Sequence, residues 1–281
     1  MAGATDRQPL VVRLSRIDRR LLFVIILICV VVPLLLGARM KMSVTPPVRG
    51  LYEAIDALPP GSVVWLAADY DPGSMPELYP MNLAFVEHLM SRDVKVISAS
   101  LWAPGPPLSQ RVLETVAPEY GKQYGIDYVN LGFKEGREAV MVSTAEDMRS
   151  TFPYDFYGTA WDSIPMLEGI RNLTDLEMIV CVSAGYPGLK EWIQQIATRY
   201  DITVGGGCTA VTGPEMYPYI QSGQLVGLLA GMKGAAEYEQ MLKRPGLGVA
   251  GMVAQSWVHL MVVVFIVFAN VVFIIEKRKG V

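Results

Sequence analysis

The chain has 281 residues, of which 52% are hydrophobic and only 18% are charged. An ordinary soluble domain carries about 25% charged residues, so the composition indicates that part of this chain lies in lipid. The apolar content excludes intrinsic disorder, and three cysteines are too few for a disulfide framework. The length corresponds to roughly two average domains.

The first predicted element is an uncharged segment over residues 21–38. It comes close to the roughly 20 residues that a helix needs to cross a bilayer, and Pro33 is expected to bend it. A cleavable signal peptide is the alternative, although its apolar stretch would exceed the usual 7–15 residues or so and Leu36-Gly37-Ala38 is a poor cleavage site. We therefore predict a retained transmembrane helix, preceded by a basic segment at residues 1–20.

Residues 45–245 alternate short β-branched runs with longer helical patterns. This alternation is typical of a Rossmann-like α/β domain, with a largely parallel sheet of five or six strands flanked by helices. The predicted strands are residues 63–68, 94–98, 127–131, 178–183, 202–204 and 224–229. The predicted helices are residues 48–58, 77–91, 108–124, 136–152, 165–172, 188–200, 214–222 and 234–242, with an ordered aromatic loop at 153–158.

A second apolar segment follows over residues 249–275, with its membrane core at about 257–275. Trp257 suits one interface, and a basic tail at residues 276–281 suits the other. Residues 246–251 match the dinucleotide-binding pattern G-x-G-x-x-G, but no strand precedes them, so we interpret the match as chance. Small and polar residues form two neighbouring rows that favour packing against another membrane helix. These residues are Gly246, Ala250 and Ala254 in one row, and Gly251, Gln255 and His259 in the other.

The charges predict how the chain is oriented. Basic residues flank both apolar segments on the side of the termini, which places both termini in the cytoplasm and the central domain outside it. Residues 45–245 contain 24 acidic and 14 basic residues, a net charge of −10. Such a domain repels phosphate backbones, so a nucleic-acid partner is not expected. The expected partners are the lipid bilayer and either further copies of the chain or other membrane-complex subunits.

Asp69 and Asp71 are the most suggestive catalytic candidates, because they follow the first predicted strand. Two carboxylates at one strand end can hold Mg²⁺ or divide the roles of nucleophile and acid. Aspartates before Pro72-Gly73 are also typical of a capped turn, which is the more ordinary use of this pattern. Both interpretations remain open.

Ser183 is a weaker catalytic candidate. It lies at a strand-to-helix turn, as in a nucleophile elbow, but Cys181 stands where that motif has its first glycine. Neither His88 nor His259 follows Ser183 at a strand end, so the histidine base is missing. We expect Ser183 to cap the following helix or to line a crevice.

In open α/β sheets, ligands bind outside the carboxyl ends of the strands. The loops predicted at this edge carry no lysine or arginine, which favours a neutral or cationic ligand. A glycine run after a short strand forms either an anion-binding nest or a tight turn. Cys181 and Cys208 either pair or remain buried thiols. The candidate crevice residues are Asp69, Asp71, Ser98, Ser100, Ser183, Gly185, Gly205, Gly206, Gly207 and Thr209.

The sequence thus favours a scaffold or assembly subunit, or a small-ligand-binding module, of a membrane complex. A membrane-anchored hydrolase or transferase that uses Asp69 and Asp71 with a divalent metal is one alternative. An oligomeric transport or channel subunit, with His259 in the pore, is another. No cofactor is expected apart from Mg²⁺ in the enzyme alternative.

Overall fold

The computed structural model describes residues 18–37 and 40–279. The chain divides into two units, which we name the helical unit (residues 1–40 and 250–281) and the α/β unit (residues 41–249). Most of the predicted basic segment at residues 1–20, and Ala38 at the end of the first predicted span, lie outside the described residues.

The α/β unit is built on one sheet of six parallel strands, which confirms the predicted Rossmann-like class. The strand order β3-β2-β1-β4-β5-β6 is that of a doubly wound fold. Their nearly continuous apolar sequences fit strands that are buried on both faces. The strands are β1 (Val63–Asp69), β2 (Lys95–Ser100), β3 (Tyr128–Phe133), β4 (Met178–Ser183), β5 (Val204–Cys208) and β6 (Leu228–Ala230).

The described helices lie at positions close to most of those predicted. They are α1 (Arg19–Leu35), α2 (Pro46–Asp56), α3 (Met75–Ser91), α4 (Gly105–Val116), α5 (Glu138–Glu146), α6 (Met148–Thr151), α7 (Leu189–Trp192), α8 (Thr198–Tyr200), α9 (Gly213–Gln221), α10 (Gly231–Met241) and α11 (Leu247–Lys279). A π-helical stretch, Ile193–Ala197, joins α7 to α8. Alternate strand residues face two apolar cores, one with α2, α3, α4 and α10 and the other with α5, α6 and α7.

A buried histidine joins three helices of the first layer. Nδ1 of His88 in α3 lies 2.7 Å from the Tyr238 hydroxyl in α10, and its Nε2 lies 3.5 Å from Asp56 at the end of α2. The Tyr52 ring stacks on the imidazole at 4.4 Å. Burial lowers the pKa of His88, an effect that Asp56 partly opposes. A neutral histidine therefore fits this position between the helices.

The glycine run differs from its prediction. Gly205, Gly206 and Gly207 lie inside β5 and not in a loop after a strand that ends at residue 204, so they form neither the anion-binding nest nor the tight turn considered from the sequence. The physical reason is close packing on all sides of the strand. A Cβ atom on Gly206 would overlap the carbonyl oxygen of Cys181 in β4, and one on Gly205 would overlap the Leu51 side chain.

The connection between β3 and β4 also differs. The predicted helix at 136–152 is divided at Asp147, whose carboxylate accepts the Ser150 N–H at 3.0 Å and starts α6. The predicted helix at 165–172 is replaced by the 3₁₀ turns Trp161–Ser163 and Pro165–Leu167. The aromatic loop is ordered, as predicted, because the Asp155 carboxylate accepts the N–H groups of residues 157 and 159 and the Tyr124 hydroxyl.

The two apolar helices of the chain differ in length. Among the described residues, only Leu247–Arg278 is both long and apolar enough to cross a membrane. Helix α1 has 17 residues, which gives it a length of about 26 Å, and it contains Pro33. It is thus a few ångströms shorter than the hydrocarbon core, which is about 30 Å thick.

The glycines of β5 yield a stability prediction. Replacing Gly206 with alanine places a methyl group against the rigid backbone of β4, and overpacking of this kind costs about 1–3 kcal/mol. Replacing Gly205 with alanine places the same group against the movable Leu51 side chain, so a smaller loss is expected. Denaturation of the full-length chain in detergent measures both. Equal losses would contradict the explanation by backbone contact.

Candidate functional site

The candidate site lies at the carboxyl edge of the sheet between β1 and β4. The strand order reverses here, and this switch point is where doubly wound folds bind ligands. Asp69 and Ser183 are register partners at the ends of these two strands. The sequence candidates Asp69 and Ser183 are therefore brought together at the switch point.

Asp69 is fully buried (0% exposed) and is held by hydrogen-bond donors. Its Oδ1 accepts the Leu101 N–H at 2.7 Å, and its Oδ2 accepts the indole N–H of Trp192 at 3.2 Å. The Ser100 hydroxyl lies 3.3 Å from Oδ1. Burial raises the pKa of Asp69 to about 6, although the three donors oppose the shift. This carboxylate joins β1 to the loop after β2 and to α7.

Trp102 covers the switch point. Its indole N–H donates to the carbonyl oxygen of Pro187 at 2.8 Å, which ties the loop after β2 to the loop after β4. The same ring lies in contact distance of Gly185, where a Cβ would be 3.8 Å from the indole. Gly185, a predicted crevice residue, thus packs beneath Trp102.

Ser183 caps a helix, and Asp71 caps the turn that precedes a helix. The Ser183 hydroxyl oxygen accepts the Leu189 N–H at 3.0 Å, at the first residue of α7. The Asp71 Oδ1 accepts the Ser74 N–H at 3.0 Å, just before α3, in agreement with the capped-turn interpretation.

The residues of the metal alternative do not fit a divalent cation. Both oxygens of Asp69 face N–H donors, which a cation would have to displace from a buried position, while Asp71 turns to Ser74. Among the residues that the structure describes, no three His, Cys, Asp or Glu side chains form a group able to hold a metal. We derive no catalytic step through Mg²⁺.

The remaining crevice candidates are distributed around the edge. The Ser98 hydroxyl pairs with Ser109 at 2.6 Å beneath α4, away from the switch point. The Ser100 hydroxyl lies 2.8 Å from the carbonyl oxygen of Ala68, next to Asp69. The Thr209 hydroxyl pairs with Thr212 at 2.9 Å before α9.

Cys181 and Cys208 are free, buried thiols. They lie on neighbouring strands, but Cys181 pairs with Gly206 and Cys208 with Ser183. An offset of two residues along parallel strands separates their Cα atoms by about 8 Å. A disulfide needs a Cα separation below about 7 Å, so the pairing considered from the sequence is wrong for this fold.

An open cleft of about 300 Å³ lies beside the switch point, between the ends of β4 and β5. Ser183 and Gly185 form part of its wall. Its other lining residues include Tyr186, Glu191, Thr212 and Glu215.

Sequence reasoning missed the loop after β3, because that strand extends to Phe133 and not only to residue 131. The guanidinium of Arg137 in this loop lies 5.3 Å from the centre of the Tyr186 ring. The Tyr186 hydroxyl donates to Glu138 at 2.8 Å. Arg137 has a positive φ of 53°, which is uncommon for a residue with a side chain. Gly136, just before this position, is the one feature of the sequence that indicates a turn here.

Helix α10 was also missed as a site of attachment. Gln240 accepts the Met42 N–H at 2.9 Å and donates to its carbonyl oxygen at 2.8 Å. Glu237 accepts the N–H and hydroxyl of Thr45 at 2.8 and 2.7 Å. Glu239 accepts the N–H groups of Gly246, Gly248 and Val249 at 2.7–2.8 Å. One helix therefore holds the first and the last residues of the α/β unit.

The predicted membrane-packing residues lie in α11, with one exception. Ala250, Gly251, Ala254, Gln255 and His259 belong to this helix. Gly246 immediately precedes the helix, and its N–H donates to Glu239 at 2.8 Å.

No protein family, curated protein or solved structure matches this chain.

The raised pKa of Asp69 predicts a pH dependence of stability. The folded state binds a proton on this group near pH 6, whereas an exposed aspartate does so near 3.8. The stabilisation is therefore complete below about pH 4 and is lost as the pH rises through 6, by about 3 kcal/mol in all. In Asp69→Asn this loss should disappear. Denaturant titrations of wild type and variant at pH 4 to 7.5 measure how steeply the free energy of unfolding of each changes with pH.

Asp71→Asn is the matched control, since it removes the neighbouring carboxylate and leaves Asp69 in place. Its free energy of unfolding should change with pH as steeply as that of the wild type. If the Asp69→Asn profile parallels that of wild type, the shifted group is not Asp69.

Proposed function

We propose that the protein is a two-span membrane protein that displays its acidic Rossmann-like domain on the non-cytoplasmic side. Its role is that of an assembly or ligand-binding subunit of a membrane complex. The single observation that carries the proposal is the attachment of both chain connections to α10. The connection from α1 is held by Gln240 and Glu237, and the connection to α11 is held by Glu239.

The buried carboxylate of Glu239 supports a firm attachment of the second span. It accepts three backbone N–H groups where α11 begins, and these groups have no partner within the helix itself. Burial raises the pKa of Glu239, and the N–H donors oppose this effect. Arg244 strengthens the same connection through ion pairs with Glu87 and Glu119. Hydrogen bonds from Glu239 and ion pairs of Arg244 thus hold the start of α11 in place. A fixed start of the apolar helix suits a subunit that assembles with others.

The apolar surface of both terminal helices supports a lipid environment. Val267 in α11 is 56% exposed, and Leu27 in α1 is 60% exposed. Exposed apolar surface of this extent is typical of membrane or protein contacts. The shorter α1 can cross the bilayer if local thinning accommodates the difference in length.

Alkaline carbonate extraction tests the membrane anchor. The full-length chain should remain in the membrane pellet. Val267→Arg places a charge in the centre of the second span and costs about 3 kcal/mol of insertion, so it should increase the extracted fraction. Val211→Arg, at an 87% exposed position of the α/β unit, is the matched control and should leave the fraction unchanged. Wild-type protein in the soluble fraction would refute the anchor.

Protease treatment of sealed membrane vesicles with the non-cytoplasmic face outward tests the orientation. The α/β unit should be digested from the outside, while an epitope at the C-terminus should stay protected until the membrane is opened. The opposite pattern would reverse the proposed topology.

Native mass spectrometry in mild detergent tests the assembly. Wild type should appear as an oligomer or with a bound partner. Gly251→Leu should reduce that fraction, because a large side chain in the row of Gly251, Gln255 and His259 prevents close helix approach. Val263→Leu, at an exposed apolar position of the same helix, is the control. A strictly monomeric wild type with no partner would count against this role.

A further inference from the structure

We propose that the cleft between the ends of β4 and β5 binds a small organic cation, with its charged group at the rim and its apolar part on the floor. The cleft has a volume of about 300 Å³, which is the lower end of the range for ligand pockets. This inference concerns the α/β unit alone and does not depend on the membrane topology.

The floor of the cleft is apolar and preformed. It is made by Leu189 at the start of α7 and Met216 in α9, both of which are buried. The Ser183 hydroxyl, only 3% exposed, lines the same cleft at the end of β4. This combination suits a short hydrocarbon group with one polar substituent, and it does not suit a bare inorganic ion.

The rim of the cleft is acidic. Glu191, whose carboxylate also accepts the Gly188 N–H at 2.9 Å, and Glu215 belong to its lining, and Lys190 is the only basic residue among those that line it in the described structure. These charges act on two buried thiols, Cys181 inside β4 and Cys208 at the end of β5. The pKa of Cys181 is raised mainly by burial and further by Asp69 and Glu191, and that of Cys208 is raised to about 12 by burial, Glu77 and Glu215.

The ligand class follows from the floor and the rim together. The two carboxylates of the lining attract a positive group, and they repel an anion of equal size. A primary ammonium group on a chain of a few carbon atoms satisfies both features.

The test uses three probes of matched size: n-butylammonium, butyrate and n-butanol. The full-length chain is placed in nanodiscs of neutral phosphatidylcholine, and binding is measured by saturation-transfer NMR. Butylammonium should bind, and butyrate should bind at least tenfold more weakly. Glu215→Gln should weaken butylammonium binding about fivefold, the effect of one solvent-screened charge pair.

Glu177→Gln is the matched control, because Glu177 is exposed just before β4, at the opposite end of that strand. It changes the net charge equally and should leave the affinity unchanged. Equal binding of all three probes, or equal weakening by the two variants, would overturn the proposal. Such a result would leave the carbonate extraction unaffected, so failure of the ligand proposal and failure of the membrane proposal are distinguishable.

Discussion

A buried carboxylate with no cationic partner among its contacts organises the carboxyl edge of the sheet. Asp69 ends the strand at which the sheet order reverses, and it contacts a backbone N–H from the loop after β2 and an indole N–H from α7. These donors come from elements on both sides of the switch point, so one side chain fixes their spacing. Burying a charge in this way is costly, and the hydrogen bonds offset only part of the cost.

The same edge is divided into a closed part and an open part. In the closed part, at the switch point, Trp102 bridges the loops after β2 and β4. One strand further along, between β4 and β5, the edge remains open. This open part is lined by the acidic side chains of Glu191 and Glu215 and by the apolar side chains of Leu189 and Met216.

Much of this fold is predictable from the sequence, and the exceptions have physical causes. The strand at 178–183 has the predicted bounds, because its apolar run is bounded on both sides by polar or glycine residues. Glycine ordinarily marks a loop, so the sequence predicts an end of β5 at residue 204, whereas the close approach of Leu51 and of the β4 backbone explains why glycines occupy the strand itself. Asp69 could be placed at a strand end, but its burial depends on Trp192, which lies 123 residues further along the chain. The acidic residues of α10 resemble a solvated helix face until their backbone partners are known.

The glycine-rich β5 has a consequence for how the domain opens. Glycine loses more conformational freedom on folding than any other residue, and the edge strand next to β5, β6, has only three residues. The half of the sheet beyond β4 is therefore expected to be its least protected half, where local unfolding and amide exchange occur first. Helix α10 follows directly from this half and carries both connections of the domain. A force on either connection therefore acts on the helix that directly follows this half of the sheet.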